Sequence, residues 1–255
     1  MSLLNVDAIN ESTSATGVTV EGVLVKDSTL KIPGGSPGAD KVLTSDASGN
    51  ATWVAAASSG FVAVTFYTDT SGTATWSEST NNPTKIVVEV IGAGGGSGAG
   101  SSGSGGSGGA GSYGMAFIDV STVTTATVTV GAGGTAGSSG AGGTGGTSKF
   151  TYATGTGSAF TEMESPGGNP GGHANHTGGS TTSLPTGPTN GVYIAGNGGG
   201  GASNSGGVSH RYGASQMGGY TYNSATGYGS ASSGSASTTA GRAGNQGMVV
   251  VWEYK

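Results

Sequence analysis

The chain has 255 residues, of which 56 are glycine, 8% are charged and none is cysteine, and its formal net charge is −5. Glycine is about three times its usual share of about 7%, and charge about a third of the usual 25%, so a conventional leucine-rich core is excluded. Disulfides and thiolate metal sites are excluded with cysteine, and no basic patch supports nucleic-acid binding.

Glycine and serine at this density suggest a flexible linker. The chain nevertheless carries 3 Trp, 9 Tyr and 5 Phe, and apolar β-type runs separate its glycine tracts, which is not the composition of a disordered segment. No basic-then-apolar leader is visible at Met1–Asp7, and no stretch is apolar over a bilayer's width.

Residues 1–57 read as short strands and turns. Val18, Val20, Val23 and Val25 alternate around Gly22. Val42-Leu43 and Trp53-Val54 flank Ser48-Gly49-Asn50, a strand-turn-strand pattern. So sparse a pattern has little core of its own and would gain from pairing with identical copies. Residues 58–91 read as a β-strand transition. Phe61–Tyr67 is a strand, Thr70-Ser71-Gly72 is expected to fold it into a hairpin with Thr73–Trp76, and Lys85–Ile91 is a further strand behind Pro83.

Residues 92–255 are dominated by glycine, and the spacing carries the message. Gly131, Gly134, Gly137, Gly140, Gly143 and Gly146 are three apart. Gly100, Gly103, Gly106 and Gly109 repeat this, Gly105, Gly108, Gly111 and Gly114 run in a second register, and Gly241, Gly244 and Gly247 precede the last strand. A period of three belongs to the polyproline II conformation, which has no internal hydrogen bonds. Such chains satisfy their backbone groups by bonding sideways to neighbours, and a face that meets a neighbour closely must lack a Cβ. Two glycine registers then serve two neighbours. Collagen also has this period but needs abundant proline, and none lies between Gly131 and Gly146. The expected fold class is mostly β and irregular. A β-rich N-terminal segment leads to packed polyglycine II helices framed by β-strands, with almost no α-helix.

The tracts Ile91-Gly92-Ala93-Gly94-Gly95-Gly96, Val128-Thr129-Val130-Gly131-Ala132-Gly133-Gly134, Gly145-Gly146-Thr147-Ser148-Lys149-Phe150 and Gly198–Gly201 lead to a closing strand Met248–Tyr254. In this order they resemble the glycine-rich C-terminal domain of phage tail fibres, similar in style to the T-even-like distal tail-fibre adhesins. The resemblance covers about Lys85 to Lys255. Residues 22–27 and 40–53 look like segments of trimeric fibre shafts, a resemblance that implies residues 1–57 are a β-rich fibre shaft, attachment and trimerisation segment. It implies a virion tail-fibre protein that mediates host-cell recognition and adsorption through loops of its tip domain. The implied partners are a host cell-surface receptor (outer-membrane protein or polysaccharide) and other tail proteins, in a homotrimer.

Two stretches dilute glycine with larger side chains and are the candidate recognition loops, since Tyr, Ser, Gly and Asn make adaptable contact surfaces. The first supplies Phe160, Met163, His173 and His176. The second supplies His210, Arg211, Tyr212, Met217, Tyr220, Tyr222 and Tyr228. Arg211 has the planar fork that suits a phosphate or carboxylate. His173 and His176 are too few for a metal site, and no cofactor is expected. Glu162 and Glu164 share a face if extended, but nothing around them suggests the cleft a glycosidase pair requires, so the chain is expected not to be an enzyme. The competing readings are a purely structural shaft or cap and an ice-binding polyglycine protein.

Overall fold

The computed structural model describes residues 36–56, 60–100, 104–155, 162–173, 186–197, 220–221, 224–225, 227–235 and 240–255. The chain forms two compact units, Met1–Ala57 and Ser58–Lys255. In the first, strands β1 (Lys41–Ser45) and β2 (Ala51–Ala55) pair antiparallel. Asp46 holds the turn: its carboxylate accepts from the Ser48 and Asn50 amides at 2.8 and 2.9 Å and from Asn50 Nδ2 at 2.9 Å. These bonds, the Asn50 side chain foremost, hold the Asp46 carboxyl below its ordinary value. Val42, Leu43 and Val54 are all exposed, so the hairpin has little core of its own.

The second unit is a β-sandwich that runs into a bundle of glycine-rich segments. Its strands are β3 (Phe61–Tyr67), β4 (Thr73–Ser77), β5 (Lys85–Ile91), β6 (Tyr113–Asp119), β7 (Val123–Thr129), β8 (Ser148–Gly155), β9 (Glu162–Ser165), β10 (Val192–Ile194), a small pair β11 (Tyr220–Thr221) and β12 (Ser224–Ala225), and β13 (Met248–Tyr254). One sheet has the order β10-β6-β5-β13-β3, the other β4-β7-β8-β9, and every pairing is antiparallel. The described residues hold no α-helix, only a 3-10 turn at Glu78–Thr80.

Alternation with a period of two puts Ile86, Val88 and Val90 of β5, Ala116 and Ile118 of β6, and Val249 and Val251 of β13 on one inner face. Trp76, Ala126, Val128, Phe150 and Met163 face them from the other sheet, and all are buried. Trp76 and Phe150 meet with ring centroids 6.1 Å apart. Among the described residues the one charge in this interior is Glu253, which accepts from Trp76 Nε1 at 2.7 Å and Asn81 Nδ2 at 2.6 Å, a paired rather than orphaned carboxylate. Burial, and then this negative charge, push the Tyr67 hydroxyl above its ordinary value. The expected hairpin of Phe61–Tyr67 with Thr73–Trp76 does not form: β3 pairs with β13 and β4 with β7, in different sheets. The Trp76 bond to Glu253 shows what the crossing achieves, since β4 then faces β13 across the core.

Past Ile91 the period changes from two to three. Residues 92–99 are all buried, and their eight consecutive amides all donate to other segments. Gly92, Gly95 and Gly98 bond to the carbonyls of Ser112, Gly109 and Gly106 at 2.9, 2.8 and 3.1 Å. Ala93, Gly96 and Ala99 bond to Gly146, Gly143 and Gly140, and Gly94 and Ser97 to Asn245 and Arg242. Each step of three along residues 92–99 is a step of three back along the partner, so these neighbours are antiparallel. The carbonyls of 92–99 accept from three further segments running parallel. Gly134 and Gly137 bond to Gly94 and Ser97, Gly168 and Gly171 to Ala93 and Gly96, and Ser232 to Gly95. Among the described residues the central segment thus has six neighbours: 104–112, 166–172, 140–147, 131–137, 240–247 and 229–235.

The six also bond to one another in that order, closing a ring. Gly109 donates to Asn169, Gly145 to Gly168, Gly143 to Thr135, Gly244 to Gly134, Asn245 to Ser230, and Gly108 to Ser232. This is lateral packing of threefold chains, as the glycine spacing predicts, but hexagonal, with six neighbours where the two registers indicated two. The six evenly spaced glycines from Gly131 to Gly146 are not one rod. The chain bends at residues 138–140, and a methyl built on Gly131, Gly134 or Gly137 would fall on the carbonyl oxygen of Gly146, Gly143 or Gly140. The register is the seam of a folded-back pair. The second register, Gly105, Gly108 and Gly111, likewise lies against the carbonyls of Gly98, Gly95 and Gly92.

Serine hydroxyls finish the ladders where the threefold pattern meets the strands or skips a peptide. Ser148 Oγ accepts from the Gly131 amide at 3.0 Å, Ser165 Oγ donates to the Val90 carbonyl at 2.8 Å, and Ser235 Oγ donates to the Gly98 carbonyl at 2.7 Å.

Candidate functional site

The connectivity divides the second unit into two ends. Segment 92–100 continues β5 outward and 104–112 returns to β6. Segments 131–137 and 140–147 do the same between β7 and β8, 166–172 leaves β9, and 240–247 returns to β13. The described segments therefore reach residues 100, 137, 172 and 235 at the end of the bundle away from the sandwich. Loops held on rigid elements are where binding residues concentrate, so this end is the first candidate site. Ser138, Ser139 and Gly140 form one of its turns, and the half-buried His173 stands at the end of another segment.

Tyr228 lies at the opposite end, where the bundle meets the sandwich. It packs against Ile91, Met248 and Val250 and lines a cleft of about 420 Å³ with Gly227, Asn245 and Gln246. The cleft wall is fixed by Asn245 Nδ2 donating to the Gly227 carbonyl at 2.9 Å and Gln246 Nε2 to the Thr68 carbonyl at 2.7 Å. Gly227 and Gly229 have φ of 87° and 70°, a region that glycine enters without a Cβ clash. His173 and Tyr228 are thus at opposite ends of the glycine segments and do not form one site.

Met163 is a correction. It is fully buried in the sandwich core, because β9 alternates and turns it inward between Glu162 and Glu164. A side chain with no accessible surface contacts no receptor. Tyr220 lies in β11, opposite Ala225 of β12. Phe160, His176, His210, Arg211, Tyr212, Met217 and Tyr222 lie outside the described residues. Glu162 and Glu164 do share a face, where both bind Lys149 Nζ, at 3.2 and 3.0 Å. Burial pushes the Glu162 carboxyl up, but hydrogen bonds from Thr151 and Lys149 outweigh it and leave it below its ordinary value. A carboxylate so held is a poor proton donor near neutral pH. Among the described residues no group of three His, Asp or Glu side chains could hold a metal ion.

Sequence reasoning missed a third surface, the outer face of the five-stranded sheet. Phe61, Phe66 and Phe117 are exposed there at 58%, 58% and 59%. Phe61 packs against Trp252 and Tyr254 with ring centroids 6.2 and 6.1 Å away. Glu89 orients the centre by accepting from Trp252 Nε1 and the Tyr113 hydroxyl, both at 2.9 Å. Burial and that bond push the Tyr113 hydroxyl well above its ordinary value. Val87, Glu89, Phe117, Trp252 and Tyr254 line a shallow cleft of about 300 Å³ on this face. The signal was present in the sequence: Tyr113, Met115 and Phe117 alternate with the buried Ala116 and Ile118, so both faces of β6 are apolar.

A family model described as a glycine-rich domain matches residues 68–251. No curated protein matches the chain significantly. The matched span takes in β4 through most of β13 and the central segment with its ring of six. The chain belongs to this glycine-rich domain family.

Proposed function

We propose that this is a phage tail-fibre protein whose second unit is the tip domain, recognising a molecule on the host-cell surface during adsorption. The observation that carries the reading is the arrival of several segment ends together at the far end of a bundle whose segments are cross-bonded on every side. Such a scaffold tolerates changes in its connecting loops while its backbone stays fixed, which is what a surface that must vary with its target requires. Serine and glycine at this end, as at Ser138, Ser139 and Gly140, suit an adaptable contact surface. The exposed β1–β2 hairpin, short of a core, is consistent with the first unit joining identical copies in a homotrimeric shaft that attaches to other tail proteins. The reading assigns no catalytic role to any residue.

The test uses purified protein as a competitor of phage adsorption across a panel of bacterial strains. The protein should bind the cells of a susceptible strain and block adsorption. Replacing Ser138 and Ser139 together with bulky residues, or His173 with Ala, should weaken binding at least tenfold while the melting temperature holds. Absence of binding to every strain, or binding indifferent to all changes at the far end, would remove the reading.

A further inference from the structure

The sandwich has four sheet edges, and one differs from the rest. Strand β3 is the last strand of its sheet, pairing with β13 on one side; among the described residues nothing bonds along its other side. Its sequence Phe61-Val62-Ala63-Val64-Thr65-Phe66-Tyr67 has seven residues, no charge and no proline. Natural sheets guard such edges with charge, proline, shortness or a covering loop. Two of the other edges show those guards, and the third, β4, has neither charge nor proline but presents threonine rather than aromatic side chains. Strand β10 has three residues. Strand β9 carries Glu162 and Glu164, and Thr186 covers it by exchanging both backbone bonds with Glu164, at 2.8 and 2.9 Å. Strand β4 is shorter than β3 and turns Thr73 and Thr75 outward.

The two outer faces differ in the same direction. Across the four-stranded sheet, register places Thr73 opposite Thr129, Thr75 opposite Thr127, and Thr127 opposite Thr151, a hydroxyl-bearing surface suited to water. The outer face beside β3 carries Phe61, Phe66, Trp252 and Tyr254, two of them more than half exposed. An aromatic patch continuous with an unguarded edge marks a surface that is covered in use.

We infer that β3 pairs with β3 of a second copy, antiparallel about a two-fold axis near Thr65. The occupant is argued from self-complementarity. The unpaired amides and carbonyls of one β3 edge are what an antiparallel copy of that edge requires, and an isologous contact places one patch on itself. Pairing centred on Thr65 sets Phe66 of each copy opposite Val64 of the other on the outer face. Aromatic and β-branched cross-strand neighbours of this kind stabilise sheets. Neither strand brings a charge that the other would have to neutralise. The two five-stranded sheets would become one, with their aromatic faces continuous. The inference is independent of the recognition site proposed at the far end of the bundle, and it is compatible with a homotrimeric shaft only if the paired strands join two trimers.

The experiment measures the mass of the full chain in solution by sedimentation equilibrium. Two chains is expected, or six if the first unit trimerises; one chain or three would overturn the pairing. Phe66→Lys, a change at a half-exposed position on the edge strand, should raise the dissociation constant at least tenfold. Phe117→Lys is equally exposed but lies on β6, with β5 and β13 between it and the edge strand, and should leave the constant unchanged. Equal loosening by both would mean face-to-face stacking rather than edge pairing, and no loosening by Phe66→Lys would remove β3 from the contact; either result overturns the inference. If Phe66→Lys lowers the melting temperature, amide exchange across residues 61–67 of the unmodified protein decides. Protection that rises with protein concentration supports pairing, and protection independent of it does not.

Discussion

The sandwich, antiparallel throughout, and the glycine bundle, with antiparallel and parallel neighbours, both satisfy their backbones between segments but reach stability from opposite directions. Between the sheets, buried Val, Ile, Phe and Trp side chains hold the layers apart and fill the space with a period of two. In the bundle, backbone meets backbone on every side of residues 92–99, and the space is filled by leaving side chains out. A core that gains by adding atoms sits directly above one that would fail if atoms were added, on strands that pass unbroken from one to the other. Side-chain volume is the asset in one region and the obstacle in the other, and substitutions should sort accordingly.

The sharpest way to break the comparison is Gly96→Val. A Cβ at Gly96 falls on the backbone carbonyl of Thr135, with segments on all sides and no flexible side chain to yield. Its cost should exceed about 5 kcal/mol in a denaturant melt, an exceptional value that follows from a backbone clash; a cost below about 1 kcal/mol would mean the bundle is not close-packed. In the sandwich the opposite change is the damaging one. Phe150→Ala should cost about 3–5 kcal/mol through lost burial and the cavity left behind. Glu253→Gln keeps the volume but turns an amide hydrogen toward one of its two donors, Trp76 Nε1 or Asn81 Nδ2; a cost of about 1–3 kcal/mol is expected.

Lys149→Met should cost less than about 1 kcal/mol, because the pair it breaks is about a third exposed and screened by solvent. Its pH dependence has a definite sign. The folded-state Glu162 carboxyl is held down, so its contribution is present above the ordinary carboxylate pKa of about 4.3. That contribution is lost as pH falls through the lower folded value. The Lys149→Met variant should show a flatter melting-temperature profile in this acid range. The smallest effect is expected of Gly140→Ala, where a Cβ meets nothing within 4 Å: within about 0.5 kcal/mol, as at ordinary surface sites. Gly96 and Gly140 are both glycines in bonded segments, so the contrast tests packing rather than propensity.

The sequence made the bundle legible because glycine is the one residue whose absence of side chain is itself a packing instruction, and the registers at Gly105–Gly111 and Gly131–Gly146 spelled out which sides were in contact. The strands Phe61–Tyr67 and Lys85–Ile91 were also readable from their β-branched and aromatic runs. Partner choice was not. Thr70-Ser71-Gly72 looks like a hairpin turn, yet a turn signal reports a change of direction and not which sheet receives the next strand. Met163 looked like a loop residue because glycine and proline surround it, and only the second sheet, assembled from β7, β8 and β9, reveals that it faces inward. The aromatic outer face escaped notice because its members, from Phe61 to Tyr254, are spread across the length of the second unit.

Hydrogen-bond scalar couplings from each amide of residues 92–99 to its acceptor carbonyl, measured by NMR, test the central claim most directly. The account predicts couplings from Gly92 to Ser112, Gly95 to Gly109 and Gly98 to Gly106, interleaved with couplings to Gly146, Gly143 and Gly140, so that one acceptor segment recurs at every third amide. A partner recurring at every second amide would indicate a pleated strand, and no couplings at all would indicate an unbonded loop; either would contradict the hexagonal bundle.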